Sequence, residues 1–360
     1  MVRVEMLKPL AVVIATLLSL SCASSAVSAS PGRPKSVILV IGDGMGSAQF
    51  TAARLLRGQA FQTGRAPVTG WVTTQSANAF VPDSASAATA LATGVRTNNK
   101  MVGVDPAGKR LTSALEVAEE SGRSTGLVTT ADFFDATPAA FAAHEKSRYE
   151  SESIARQMLQ SGAEIIAGGG AEEFGTEKIR PTVESLADDY GYTLLRKGDQ
   201  LAAASGERLL VVHETQPREL DWPDAPLSAL ARWAIGRLSR DGDGFFLLLE
   251  NEGTDGSAHG NDTAAFERAV RSVDETAGVA LDYADRHPDV LVIITGDHET
   301  GGLYVMPEDP PNLPLELRWA QKGHTGEAIP IFAKGPGAER FMGMLDNDEV
   351  GRRLIELLRR

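Results

Sequence analysis

The chain of 360 residues carries 35 basic and 48 acidic side chains, a net charge of −13, and 42% hydrophobic residues. That balance supports a full hydrophobic core and excludes a disordered polymer; the acidic surplus, spread along the chain, argues against a nucleic-acid partner. A single cysteine, Cys22, excludes an intramolecular disulfide and a thiolate metal cage.

The N-terminus reads as an export signal, with Arg3 and Lys8, the apolar run Leu10 to Leu20, and small residues ending Val27-Ser28-Ala29. We expect residues 1–29 to be a secretory signal peptide and 30–360 a single catalytic domain, periplasmic or secreted. The apolar run is well short of the ~20 residues of a bilayer span, so no stable membrane span is expected. Lipid anchoring through Cys22 is the lesser expectation, because Ser19-Leu20-Ser21 match a lipoprotein box poorly. Cleavage removes the cysteine, so any metal in the mature chain must be held by His, Asp, Glu or hydroxyl oxygens.

Seven apolar or β-branched runs follow: "SVILVIG" from Ser36, "STGLVTT" from Ser124, "AEIIAGG" from Ala163, "RLLVV" from Arg208, "FFLLLE" from Phe245, "VLVIITGD" from Val290 and "IPIFAKG" from Ile329. Helix-period stretches lie between them, Leu111 to Glu120, Ser151 to Gln160, Leu227 to Leu238, Thr263 to Arg286 and Asp348 to Leu358. Such alternation predicts an α/β sandwich whose mainly parallel sheet is covered by helices on both faces. The Pro-rich stretch Met306 to Trp319 reads as a surface loop.

In this fold class ligands bind at the carboxyl ends of the strands. Asp43 closes the first run inside "GDGMG", Glu250 closes "FFLLLE" and Asp297 closes "VLVIITGD". Acids converging from distant segments need cations among them. A carboxylate within the glycine turn also argues against a dinucleotide cradle, and the spacing is not G-x-G-x-x-G.

Further ligand candidates come from "ENEGTDGSAHG", where Asp255 and His259 stand four apart on one helical face, from "TGDHETGG" with Asp297 beside His298, and from "KGHTGE" with His324. Asp255, His259 and His324 would serve one ion, and Asp43, Asp297 and His298 another; mixed nitrogen and oxygen ligation suits catalytic zinc. His144, His213 and His287 lack such surroundings. In "VPDSASAATALATG", Asp83 and Ser84 open an Ala-rich helix, so Ser84 is either a capping residue or a nucleophile activated beside a divalent cation. "DATPAAFAAHEKSRYE" adds Asp135, Thr137 and Arg148, whose planar fork can grip two phosphoryl oxygens.

Together "IGDGMG", "DSASAATALATG", "DATPAAFAAHEKSR", "ENEGTDGSAH", "TGDHETGG" and "GHTGE" resemble the alkaline phosphatase family in order and internal spacing, over essentially the whole mature chain. The resemblance implies a three-layer αβα sandwich holding two Zn2+ and one Mg2+. Matched motif by motif, Asp255, His259 and His324 would hold the first zinc, and Asp297, His298 and Asp43 the second. Asp43 would bridge to magnesium, with Thr137 and Glu250 as further ligands and Asp135 behind them. Glu250 is matched in preference to Glu252 because the family's magnesium glutamate lies five residues before the zinc aspartate. Ser84 would be the phosphorylated serine and Arg148 the phosphate clamp.

The chain departs from the family pattern at Gly256, where a lysine or histidine is common, in its lack of disulfides, and in the short stretch between His298 and His324, which argues against a large crown-like insertion. The expected activity is hydrolysis of small phosphate monoesters, with broad specificity, inorganic phosphate as product and homodimerisation as an option. Its rivals are a related phosphodiesterase, phosphonate hydrolase or sulfatase, and a non-catalytic secreted phosphate- or metal-binding protein.

Overall fold

The computed structural model describes residues 32–196, 198–213, 226–306 and 315–359, with residues 198 and 199 given by their backbone. The expected signal peptide, Cys22, and residues 307–314 of the Pro-rich stretch lie outside this set.

Strands β1 (Ser36–Gly42), β2 (Val68–Thr73), β3 (Ser124–Asp132), β4 (Ile165–Gly169), β5 (Thr193–Leu195), β6 (Leu209–Val212), β7 (Phe245–Asn251) and β8 (Val290–Thr295) are followed by the short β9 (Glu299–Thr300), β10 (Leu303–Val305), β11 (Leu317–Trp319) and β12 (His324–Thr325), then β13 (Ile329–Lys334) and β14 (Gly343–Asp346). Ten of them form one sheet in the order β14-β2-β13-β8-β1-β7-β3-β4-β6-β5. Only β13 runs against its neighbours β2 and β8; the other pairings are parallel. β10 with β11 and β9 with β12 make two small antiparallel ribbons.

The helices are α1 (Ser47–Arg57), α2 (Ser84–Thr93), α3 (Ala114–Glu120), α4 (Ala136–Ala142), α5 (Ser151–Gln160), α6 (Val183–Asp189), α7 (Leu227–Leu238), α8 (Gly253–Gly260), α9 (Thr263–Arg286) and α10 (Asn347–Leu358). Alternate residues of the central strands feed two cores. Val37, Leu39 and Ile41 of β1 pack under α2 to α6 and α10, while Ile38 and Val40 pack under α1, α7 and α9. The three-layer αβα sandwich is therefore present. Burial on both faces explains why these strands read as continuous apolar runs in place of an alternating pattern. All seven expected strand runs are strands and all five expected helices are helices. The sequence pattern did not announce β2, β5, β14, α1, α4, α6 or the short ribbon strands β9 to β12, and the stretch Met306 to Trp319, expected to be a loop, ends in β11, which pairs with β10.

Two local devices fix the scaffold near the strand ends. Helix α2 is buried along its whole length, built from Ala, Ser, Thr and one Leu. It lies against α10 so closely that a Cβ on Gly351 would strike the Ala90 carbonyl. On the opposite layer, Asp274 of α9 accepts hydrogen bonds from the backbone N–H groups of Gln62 and Thr63 at 2.9 Å each and from the Thr63 hydroxyl at 3.0 Å, and pairs with Arg57 at 3.1 Å. It pins the segment between α1 and β2 onto the molecule. Replacing Asp274 by Ala strands these donors, and the expected loss is about 3 kcal/mol of unfolding free energy in urea titration.

Candidate metal centre and active site

The strand order β8-β1-β7 places the three expected acid-bearing strand ends side by side. Ile41 is in register with both Thr295 and Glu250, so Asp43 and Asp297, each two residues further on, emerge at the same level. Glu250 lies one step inside, level with Thr129 of β3, whose hydroxyl donates to it at 2.5 Å.

Asp43, Asp297 and His298 form one ligand set. The His298 Nε2 stands 3.4 Å from Asp43 Oδ1 and 3.3 Å from Asp297 Oδ2, all buried. The Ser84 Oγ lies 3.2 Å from the same nitrogen. Ligand atoms ~2.0–2.1 Å from a tetrahedral ion are ~3.3 Å from one another, so this spacing is that of a coordination shell. The other Asp297 oxygen is held by the N–H groups of Gly44, at 3.0 Å, and His298, at 2.9 Å.

Asp255 and His259, on one face of α8, meet His324 from β12 in a second set. His259 Nε2 is 3.1 Å from Asp255 Oδ2 and 3.2 Å from His324 Nε2, and His324 Nε2 is 3.6 Å from Asp255 Oδ1. Each ring donates through Nδ1 to a carbonyl, His259 to Lys322 and His324 to Pro82 at 2.9 Å. A carbonyl only accepts, so in the neutral rings both Nε2 atoms turn lone pairs toward each other, and without a cation His259 must take up a second proton, which Asp255 favours by raising its affinity for one. The neutral arrangement is suited to a cation.

The two sets touch. The His298 and His324 rings stack with centroids 3.7 Å apart. Thr300 donates its hydroxyl proton to Asp255 Oδ1 at 2.5 Å and lies 3.2 Å from His298 Nδ1, which fixes that ring's tautomer too. A third set joins Asp43, Glu250 and Glu252, with Thr137 of α4 adjoining Glu250.

The donor set fits cations on three grounds. The buried atoms Asp43 Oδ1, Asp297 Oδ2 and Thr137 Oγ1 have no hydrogen-bond partner, which a protein interior rarely tolerates. Burial, then the field of Asp297, drives Asp43 well above the usual carboxylate range; burial also takes Asp297 to about 7 and Glu250 to about 8. Burial lowers His298 and His324 to about 4, leaving them neutral ligands at physiological pH. Burial alone would raise Asp255, but its hydrogen bond with His259 and the nearby imidazoles hold it at about 2.

Ser84 begins α2, with Asp83 capping the helix by accepting from Ser86 N at 3.1 Å. The capping task assigned by the bland alternative thus belongs to Asp83, and Ser84 faces the ligand sets. Arg148 closes the arrangement, donating to Asp135 Oδ1 at 2.9 Å, with Asp83 Oδ2 at 3.6 Å. Asp135 also caps α4 through Ala136 N at 2.7 Å. The remaining histidines stay apart: His144 bonds Gly103 and Glu116, His213 is buried beside β6, and His287 stacks on Tyr283. Sequence reasoning missed Thr300, whose only signal was its place in "DHET", and set Glu252 aside.

A sequence profile of the alkaline phosphatase family matches residues 34–316. The chain belongs to the alkaline phosphatase family. It is 33% identical to the streptomycin-6-phosphate phosphatase of Streptomyces griseus, with 93% of each chain covered, and 30% identical to the alkaline phosphatase of Escherichia coli, covering 88% of this chain and 84% of that one. The solved alkaline phosphatase of the Antarctic bacterium TAB5 superposes with a TM-score of 0.83 at 29% identity, over 91% of this chain and 98% of its own. A variant of that enzyme was solved with magnesium in its M3 site. As a member of this family the chain is a phosphate monoester hydrolase with groups able to bind metal.

The raised carboxyls carry a pH consequence for metal-free protein. An acid whose folded value lies near 7 or 8, against about 4 when unfolded, contributes stability that is full below pH 4 and is lost as pH rises to the folded value; His298 and His324, lowered to about 4, oppose that loss up to their unfolded value of 6.5. Chelated protein is expected to lose melting temperature chiefly between about pH 6.5 and 8 in scanning calorimetry, whereas metal-loaded protein keeps it; parallel profiles would remove the electrostatic case for cations.

Proposed function

We propose that this alkaline phosphatase transfers the phosphoryl group of a monoester to Ser84 and then to water, with two Zn2+ held by Asp255, His259 and His324 and by Asp43, Asp297 and His298, and one Mg2+ held by Asp43, Glu250 and Thr137. The observation that carries the reading is the Ser84 Oγ, 3.2 Å from His298 Nε2 at the start of a buried helix. When bound, the ions supply the Lewis acidity that ionises a hydroxyl or water near neutral pH and offsets charge on the leaving oxygen.

The chain's own residues do the positioning. Arg148 presents its guanidinium to two non-bridging oxygens of the phosphate, its fork aimed by Asp135 and Asp83. The N-terminus of α2 favours the anion at Ser84. The Ser84 oxygen forms a bond to phosphorus while the bond to the ester oxygen breaks, and the alcohol leaves with a proton from solvent. Water then attacks the phosphoserine, returning the proton to Ser84 and releasing inorganic phosphate. Recognition is confined to the phosphoryl group, so broad monoester specificity is expected.

Gly256 supplies no side chain to hold phosphate, which leaves Arg148 as the chief cationic contact. The leader motif supports export to the periplasm or the exterior. No described helix is long and apolar enough to cross a membrane.

Ser84→Ala is expected to abolish acid-trapped phosphoserine and reduce kcat by at least about a thousandfold while leaving metal content unchanged. Loss of metal in that variant would reassign Ser84 to structure. For Arg148→Ala the expected result is inhibition by inorganic phosphate weakened about tenfold or more. Faster turnover of aryl diesters than of aryl monoesters would defeat the monoesterase reading.

A further inference from the structure

Glu252 has no part in the reaction as derived above, yet it stands at its centre. Glu250 lies in β7, level with Ile41 of β1, and Glu252 follows the last residue of that strand as the N-cap of α8, with φ −77° and ψ −24°. The β1–β7 ladder continues beyond the strand ends, since Asp43 N donates to Asn251 O at 3.0 Å. The chain turns there from strand into helix, and the turn sets Glu252 close to Asp43. One oxygen each from Asp43, Glu250 and Glu252 lies within 4.8 Å of the other two.

These acids are more than a surface cluster. Thr137, which adjoins Glu250, is 1% exposed, and its Oγ1 has no hydrogen-bond partner. An orphaned buried hydroxyl oxygen beside a carboxylate trio calls for a cation. The donors are all oxygens, which favours a hard divalent ion such as Mg2+ or Mn2+ over zinc.

We propose that Glu252 is a direct ligand of the third ion, so that this chain closes the site with three carboxylates, Asp43, Glu250 and Glu252, together with the Thr137 hydroxyl. The inference rests on the third-ion reading above and deepens it. Glu252 also adds to the negative field around Arg148, but Arg148 already has Asp135 and Asp83 as partners. The rival task, restraining Arg148, would leave the cation untouched.

The test is titration calorimetry of Mg2+ into zinc-loaded protein, comparing wild type, Glu252→Gln, Glu252→Asp and Glu250→Gln, with zinc measured by mass spectrometry. Glu252→Gln is expected to weaken Mg2+ binding by about 10–100-fold, with zinc content retained, and Glu250→Gln to do at least as much. Should Glu252→Gln fail to fold, Glu252→Asp, which keeps the charge one methylene back, is expected to weaken binding several-fold. A folded Glu252→Gln with the wild-type isotherm overturns the proposal, as does unchanged Mg2+ binding with altered inhibition by inorganic phosphate, or no Mg2+ uptake by wild type. Failure of the Ser84 mechanism would show separately, as absent phosphoserine beside an intact Mg2+ isotherm.

Discussion

Repulsion among buried carboxylates governs this molecule. Asp43, Glu250, Glu252, Asp255 and Asp297 are brought together at one end of the sheet, and three imidazoles face them with their lone pairs. Among the described residues, Arg148 is the fixed cation set close to these groups, and it is already engaged by Asp83 and Asp135. Placing so much negative charge in a low-dielectric interior is costly unless divalent ions are present. The fold spends its geometry on maintaining that arrangement: backbone N–H groups of Gly44 and His298 hold Asp297, and carbonyls of Lys322 and Pro82 hold the histidines.

The topology explains how segments so far apart in the chain meet. β1 lies between β7 and β8 although more than 200 residues separate them, and in a parallel sheet all three carboxyl ends share one edge. The two small ribbons then carry ligands that the main sheet cannot reach. β9 follows directly on His298, and its partner β12 begins with His324, so one ladder brings His324 over the His298 ring. Glu299 stabilises this ribbon from beneath, accepting from Gln49 at 2.5 Å, Thr325 at 2.5 Å and Leu303 N at 3.2 Å.

Much of this was legible in the residues. Continuous apolar runs marked the doubly covered strands, and the acids closing them marked the ligand edge, because both follow from local pattern and one topological rule. The edge strands were not legible: β2 alternates buried and exposed residues, and β14 exposes Met344 and Gly343, so neither gives a continuous signal. Within the centre, spacing along one segment favoured Glu250. What that spacing could not report is the turn from β7 into α8, which sets Glu252 close to Asp43. Thr300 was invisible for a related reason, since its hydroxyl matters only once two loops have met across it.

Helix α2 offers a last consequence. It is sheathed on every side and locked to α10 at a glycine, so the serine at its tip is mounted on a post that cannot swing. On the proposed mechanism the phosphorus must come to the oxygen, because the oxygen is not free to go to it. Such a mounting completes its packing in advance, so that little has to be ordered when a phosphate ester arrives.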